Sequence, residues 1–307
     1  MKKEVAIIGA GAVGLYLSYR LSKKGFKVTV FEKKEKVGLK PCSCLISERI
    51  KDFVPFKESL IKKRVKNSLI HFPGKDIRLN FKPIHFALNR KEFDESLKEI
   101  ALKEGVKIVF SKEIKEIPKG FFRVIACNGA LSSFRTSLPS FRLGVQLFKK
   151  EISDEVEIWP LRNGFCWKIP KGEYLEYGAL GNKDSLKKDF ENFCLSQGIS
   201  FDWKEVKSAL VPQGLVFSED KNVALCGDAL GLTKPWSGGG IIWGFKAADI
   251  LLDSFPDFKE YRKRVSGFFK IKIIKGKLIS NITHFIGNNF SFLLPKEILR
   301  DNDFPFL

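Results

Sequence analysis

The sequence predicts an α/β fold, a doubly wound domain with a parallel sheet that is interrupted by an antiparallel, β-rich insertion and followed by helices. Three observations predict it. An apolar run over residues 4–9 is followed by a helical period over 12–24 and a second apolar run over 27–31. Far along the chain, another short apolar run, 223–226, leads into a glycine cluster and a helical period from about 240 to 254. Between them lie extended, aromatic-rich stretches at 64–88 and 141–181, punctuated by turns such as Pro73-Gly74.

The elements follow in order. Ala12, Leu15, Leu17 and Leu21 alternate with Ser18, Arg20, Lys23 and Lys24 before Gly25 stops the helix. Residues 27–31 close a βαβ unit of normal size at Glu32. A basic segment with glycine and proline, 33–60, ends in a short helix, and strands are expected at Val65–Phe72 and Ile77–Phe86. Phe93, Leu97, Ile100 and Ala101 mark a helix over 91–104, followed by strands at 106–110 and 121–126. A helix is expected over 185–196, and 257–299 reads as helical throughout. The expected organisation is 1–64, 89–138 and 211–256 as parts of one dinucleotide-type domain, 65–88 and 139–210 as the β-rich domain, and 257–307 as a C-terminal helical segment.

Composition bounds the class. With 307 residues and 44% hydrophobic content, the chain can bury a large core. The N-terminus passes from charge directly into strand, so no secretory signal is expected, and no apolar run reaches transmembrane length. Six cysteines in a chain this long do not suggest a disulfide scaffold, and a reducing cytoplasmic location fits. Lys and Arg number 54 against 35 Asp and Glu, a formal charge of +19. That excess suits a solvated basic surface or an anionic membrane surface. Nucleic acid is not expected as a partner, because no recognition motif accompanies the charge.

Gly9-Ala10-Gly11-Ala12-Val13-Gly14 has the GxGxxG pattern between a strand and a helix. Gly9 permits the tight turn, Gly11 lets a pyrophosphate approach the backbone, and Gly14 permits close helix–strand packing, with the helix N-terminus facing the phosphates. Glu32 stands where an acid accepts from a ribose 2′-OH. The second cluster, Gly227-Asp228-Ala229-Leu230-Gly231 and Pro235-Trp236-Ser237-Gly238-Gly239-Gly240-Ile241, again follows a strand and opens a helix. Asp228 can accept from a ribityl or ribose hydroxyl, and the glycines can present N–H groups to a phosphate or a flavin carbonyl.

These motifs resemble a large FAD-dependent family that includes aromatic hydroxylases and geranylgeranyl reductases, with a Rossmann-type, glutathione-reductase-like fold. Leu88-Asn89-Arg90-Lys91-Glu92-Phe93-Asp94 is similar to its Arg-x-x-Phe-Asp segment, and Ala126 to Arg135 to its Ala-Asp-Gly-x-x-Ser-x-x-Arg segment, with Asn128 replacing the aspartate. The resemblance implies FAD as cofactor, held by Gly9, Gly11, Ala12, Val13, Gly14, Glu32, Lys33, Cys42, Arg90, Gly227, Asp228, Gly238, Gly239, Gly240 and Ile241. Two features resemble the geranylgeranyl reductase branch. Gly38-Leu39-Lys40-Pro41-Cys42 resembles its Gly-x-x-x-Cys segment, which implies Cys42 beside the flavin ring as the catalytic candidate; Cys44 stands where a small residue, often glycine, is expected. Phe165-Cys166-Trp167-Lys168-Ile169-Pro170 with Gly178 and Gly181 resembles its Tyr-x-Trp-x-Phe-Pro…Gly-x-Gly signature, with Phe165 replacing the tyrosine.

Phe165, Trp167 and Ile169 alternate on one strand face, which serves either as an apolar substrate wall or as ordinary core packing. Pro235 and Trp236 are assigned with them to the substrate pocket. Cys42-x-Cys44 lacks CxxC spacing and has no second cysteine pair near it, so no metal is expected; the two cysteines are either an inert structural pair or placed beside the flavin. The implied reaction is reduction of C=C bonds in a geranylgeranyl chain of a prenyl lipid or prenyl diphosphate, with reduced ferredoxin or NAD(P)H as electron donor. A flavin monooxygenase or other FAD oxidoreductase acting on a small apolar substrate is the alternative; a non-catalytic FAD-containing protein that binds tRNA or lipid is a third reading. The Phe- and Ile-rich tail at 261–294 serves either as a membrane-facing element or as an intramolecular cap.

Overall fold

The computed structural model describes residues 3–305. In chain order the strands are β1 (Glu4–Ile8), β2 (Lys27–Phe31), β3 (Leu45–Ser47), β4 (Ile61–Phe72), β5 (Lys75–Leu88), β6 (Lys107–Val109), β7 (Arg123–Ala126), β8 (Ser140–Lys149), β9 (Val156–Leu161), β10 (Gly164–Pro170), β11 (Leu175–Gly181), β12 (Lys207–Gln213), β13 (Val223–Leu225) and β14 (Glu297–Arg300). The α-helices are α1 (Ala12–Lys23), α2 (Ile50–Phe53), α3 (Arg90–Lys103), α4 (Lys183–Ser196), α5 (Ile241–Ser254) and α6 (Phe258–Asn289). The chain forms two compact units. The first takes Met1–Leu39, Lys91–Ser140 and Pro212–Ile273; the second takes Lys40–Arg90, Phe141–Val211 and Ile274–Leu307.

The first unit is built on a parallel sheet of order β13-β7-β1-β2-β6. Its central strand is apolar throughout its core because both faces are covered: Val5, Ala6 and Ile7 are fully buried. Helix α1 buries Leu15, Leu17 and Leu21, and its Tyr16 ring stacks on Phe245 of α5 at 4.6 Å. The Tyr16 hydroxyl also bonds Asp249, so α1 and α5 are joined by packing and by a polar contact.

The second unit is built on a nine-stranded sheet of order β12-β8-β11-β10-β9-β4-β5-β14, with β3 added on β5. The period-two alternation of β10 and β11 separates two faces. Cys166, Leu175, Tyr177 and Ala179 turn to one side, where α4 covers them with Leu186, Phe190 and Phe193. Phe165, Trp167 and Ile169 turn to the other, in register with Leu180, Gly178 and Glu176. There Ile169 enters a core with Val65, Phe81, Ala87 and Val156, and Trp167 packs at its edge.

Three expectations change. The expected strand at Val65–Phe72 begins earlier, at Ile61, because the β4–β5 hairpin pairs Ile61 with Leu88 beyond a bulge. The β-rich sheet is not wholly antiparallel: β4 with β9 and β5 with β14 are parallel pairs. Residues 257–299 are not helical throughout, since α6 ends at Asn289 and the chain returns past Pro295 as β14. Proline lacks the N–H that a continued helix needs, and Glu297–Arg300 instead extends the edge of β5.

Candidate functional site

In the first unit, Gly9 adopts φ +103°, and its N–H bonds the Phe31 carbonyl at 2.7 Å. A side chain on Gly9 would lie 2.6 Å from the Cys127 carbonyl oxygen. Helix α1 then opens at Ala12 with Gly11 as its N-cap, no side-chain cap bond and no acid in its first turn. Its leading N–H groups are left for an anionic ligand. Nothing lies within 4 Å of a Cβ placed on Gly11, so the space before the helix is open. Glu32 reaches this loop: its Oε2 accepts the Ala10 N–H at 2.7 Å and its Oε1 the Lys34 N–H at 3.0 Å. Each carboxylate oxygen keeps a lone pair for a ribose hydroxyl. Lys33 is exposed and Ala12 is buried.

The second glycine cluster lies in the same unit. Val13 of α1 fills the space left by Gly227 and Gly244; a Cβ on either would meet the valine side chain. Gly227–Leu230 forms a single 3₁₀ turn after β13. Arg135 clamps it: its guanidinium donates to the Ala229 carbonyl at 2.6 Å and to those of Asp228 and Ala130. Gly240 is the N-cap of α5, which like α1 has neither a side-chain cap bond nor an acid in its first turn. A Cβ on Gly240 would lie 3.1 Å from Asp228 Oδ1, so that carboxylate stands at the α5 N-terminus. Lys234 to Gly239 close a tight turn, with Gly238 N–H on the Lys234 carbonyl at 2.8 Å. Ile241 opens α5, Pro235 is buried, and half-buried Trp236 packs edge-on against Trp243 at 5.5 Å.

Neither α1 nor α5 has a side-chain cap bond or an acid in its first turn, which suits an anionic ligand at α1, while Asp228 beside the α5 N-terminus suits a ligand hydroxyl there. Beside Gly9, the buried Oδ1 of Asn128 has no hydrogen-bond partner among the described residues, which fits a ligand hydroxyl there.

In the second unit, Cys42 and Cys44 form a pair. The Cys44 N–H points at Cys42 Sγ at 3.4 Å, and Cys44 itself has φ +49°. That left-handed backbone is why a glycine is expected at this position; a side chain there carries strain. The hydrogen bond from the Cys44 thiol holds the Cys42 thiol well below the usual range, with help from the positive charges of Arg90 and Lys40 against the opposing effect of burial. The same bond, together with burial, pushes the Cys44 thiol up. Cys42 is therefore the more acidic thiol of the pair. Arg90, at the start of α3, faces this loop through its charge.

Lys171 ties the loop to the aromatic strand. Its ammonium donates to the Ser43 carbonyl and, at 3.1 Å, to the Leu88 carbonyl. It lies 3.8 Å from Glu176 Oε2. Glu176 is fully buried, and its Oε1 accepts the Trp167 indole N–H at 3.0 Å. Burial pushes its carboxyl up, with the Cys42 sulfur adding to the rise and Lys171 and Trp167 opposing it. Phe165 and Trp167 are half-buried, with ring centroids 5.6 Å apart.

Phe165, Trp167, Ile169, Cys42 and Arg90 thus belong to one unit, and the glycine clusters, Glu32, Pro235 and Trp236 to the other. The sequence motifs include Arg135 without a role for it, and they do not include Lys171, Glu176 or Gly244. Gly244 had a signal, a glycine inside a helical period. Glu176 had a faint one, as the lone acid in Leu175–Gly181.

The comparisons bear on the fold and its relatives. Residues 7–43 match the family model of the NAD(P)-binding Rossmann-like domain. A digeranylgeranylglycerophospholipid reductase of Methanococcus vannielii is 26% identical over 292 residues, 78% of this chain and 73% of that protein. A geranylgeranyl bacteriochlorophyll reductase-like protein of Thermoplasma acidophilum has a similar structure, with TM-score 0.77 at 18% identity over 92% of this chain and 88% of that one. A mutant of the halogenase PltM, solved in complex with FAD, matches with TM-score 0.71 at 14% identity over 94% of this chain and 78% of that one. Fold and comparisons point to one class: the chain has the fold of FAD-binding flavoproteins and is similar in sequence to reductases of prenyl lipids. Within that class its similarity is to the geranylgeranyl reductases, the branch that the sequence motifs resemble.

Proposed function

We propose that the chain reduces isolated C=C bonds in the geranylgeranyl chain of a prenyl lipid or prenyl diphosphate. The observation that carries this reading is the ammonium of Lys171, which pins the Cys42–Cys44 loop to the end of the strand bearing Phe165, Trp167 and Ile169. An apolar, aromatic surface suits a hydrocarbon substrate, and an acidic thiol held at its edge suits charge and proton handling.

Bound FAD, once reduced, supplies the hydride. The N-termini of α1 and α5 hold the phosphates and the flavin end, with Glu32 on the adenosine ribose and Asp228 on a ribityl or ribose hydroxyl. Cys42 is the catalytic thiol. Phe165 and Trp167 orient the prenyl chain and exclude water, while Ile169 anchors the strand in its core. Pro235 and Trp236 are assigned to substrate binding.

The test is anaerobic. Holoenzyme with reduced flavin is mixed with geranylgeranyl lipids and diphosphates. Flavin oxidation should accompany a product heavier by one H₂ per reduced bond. Rapid NAD(P)H-dependent oxygen consumption with no prenyl product would favour the monooxygenase reading instead. Supplying reduced ferredoxin or NAD(P)H as donor in parallel identifies the electron source. Cys42→Ala should lower turnover by about tenfold or more while leaving flavin content unchanged; equal loss of both would remove Cys42 from catalysis.

The same reading places the protein at an anionic lipid surface. No described helix is long and apolar enough to cross a membrane. Yet Ile274, Leu278, Ile282 and Phe285 form an exposed stripe on α6, and Leu278 and Phe285 are 59% and 62% exposed. Spacings of four, four and three residues keep the four side chains on one face. Lys275 and Lys277 flank it, and exposed Phe292 and Leu293 follow. Apolar residues bordered by lysines suit the boundary between anionic headgroups and acyl chains. The protein should float with phosphatidylglycerol vesicles and not with phosphatidylcholine vesicles. Leu278→Asp with Phe285→Asp should cut that binding by at least about tenfold. Dimer formation through this face without vesicle binding would overturn the assignment.

A further inference from the structure

The reduction of an alkene needs a proton as well as a hydride, and the residues named so far do not donate one. The Cys42 thiol is held well below its usual range, which favours its proton-free form. Phe165 has no hydroxyl. Tyr177 is on the opposite sheet face, where its hydroxyl donates to Glu151 at 2.6 Å. On the face that carries Phe165, Trp167 and Ile169, the described residues of β10 and β11 include one acid, Glu176.

We propose that Glu176 is the general acid that protonates the substrate alkene. The geometry supports it in three ways. Glu176 is paired in register with Ile169, two residues from the Trp167–Gly178 pair, so its side chain shares the sheet face of the aromatic residues and is bonded to the Trp167 indole. It is fully buried, and its Oε2 has no hydrogen bond among the described residues, so one oxygen is left to carry and deliver a proton. Its nearest cation, Lys171, is 3.8 Å away and donates to two backbone carbonyls. A buried carboxyl with a distant, shared counter-charge favours its neutral form. The raised carboxyl range, set by burial and by the Cys42 sulfur against Lys171 and the Trp167 N–H, agrees with that.

The step balances. The π pair of the alkene takes the proton from the Glu176 O–H at the less substituted carbon. The methyl-bearing carbon would take the hydride that reduced FAD, held by the two glycine clusters, supplies on its oxidation. The Glu176 carboxylate left behind is stabilised by the Trp167 N–H and the Lys171 ammonium, then regains a proton from water. The Trp167 indole can favour positive charge that develops on the substituted carbon.

This inference rests on the reductase reading, and the tests separate the two. In the infrared spectrum of the protein without substrate, a protonated-carboxyl band present at neutral pH should vanish in Glu176→Gln. Thermal stability offers a second readout. The raised carboxyl favours the fold at acid pH, and that advantage is lost as pH climbs from the ordinary glutamate value of 4.5 through the raised value. Wild-type Tm should therefore fall relative to Glu176→Gln over that range. In anaerobic single turnovers, Glu176→Gln should form product at least about a hundredfold more slowly at unchanged flavin content and substrate affinity. Glu176→Asp should recover part of the rate. Absence of the infrared band from the wild type, or a Glu176→Gln rate equal to wild type on a lipid that the wild type reduces, overturns this proposal alone. A wild type that reduces no prenyl substrate overturns it together with the reductase reading.

Discussion

Gly14→Ala is expected to lose FAD and to lower stability by about 3 kcal/mol. The methyl group would fall inside the van der Waals envelope of the Gly9 carbonyl oxygen, and it would also sit 3.2 Å from the Gly9 carbonyl carbon and 3.3 Å from Cys127 Cβ. Gly9 cannot move aside. Its N–H is bonded to Phe31, and on its other side the Cys127 and Asn128 backbone leaves no room. Relief therefore requires α1 to lift from the sheet, and this misdirects the N–H groups that face the phosphates. Gly11→Ala makes the contrast. No atom lies within 4 Å of its Cβ, so stability should change by less than about 1 kcal/mol, while the methyl still blocks the ligand's approach. Thermal melts and flavin absorbance per chain measure both. A Gly14→Ala protein that melts and binds flavin like the wild type would remove the close-packing argument.

The contrast shows why this half of the site was legible in the sequence. Gly9, Gly11 and Gly14 act through backbone and through space, and the spacing of a strand, three glycines and a helix specifies both. Glu32 closes the second strand of the same local unit, so its reach to Ala10 follows from a βαβ unit of ordinary size. The Phe165–Trp167–Ile169 face was legible for a similar reason, since a period of two needs no partner to define it. The identity of what stands opposite was not. Glu176 is an isolated charge in Leu175–Gly181, and its burial depends on Lys171 and on the register of two strands. The parallel pair between β5 and β14 joins segments more than two hundred residues apart, beyond the reach of any window. In α6 both faces are apolar: Val265, Phe269 and Ile273 are buried while Ile274, Leu278 and Ile282 are exposed. Periodicity identifies such a helix, but only packing decides which apolar stripe is covered. The strain at Cys44 lies between these cases. The position asks for glycine, and the left-handed backbone explains the request, yet the thiol placed there acquires a partner in Cys42 that glycine could not offer.

Gly178→Val should dismantle the substrate wall without touching the dinucleotide loop. Gly178 pairs with Trp167 across the β10–β11 ladder, and the indole lies over it so closely that a Cβ would overlap the ring and stand 2.7 Å from Nε1. A branched side chain there must expel the indole, at a cost of about 3 kcal/mol or more from lost packing and forced rotamers. Expulsion also removes the N–H that Glu176 accepts, leaving a buried carboxyl with less to hold it. Substrate affinity and turnover should both collapse, with flavin content near that of the wild type, because the glycine clusters lie in the other unit. A second substitution separates shape from chemistry. Trp167→Leu in the Gly178→Val background makes room for the valine and should restore much of the melting temperature. Turnover should stay low, because leucine offers Glu176 no donor. If the double variant recovers turnover along with stability, the Trp167–Glu176 hydrogen bond is dispensable and the wall acts through its apolar surface alone.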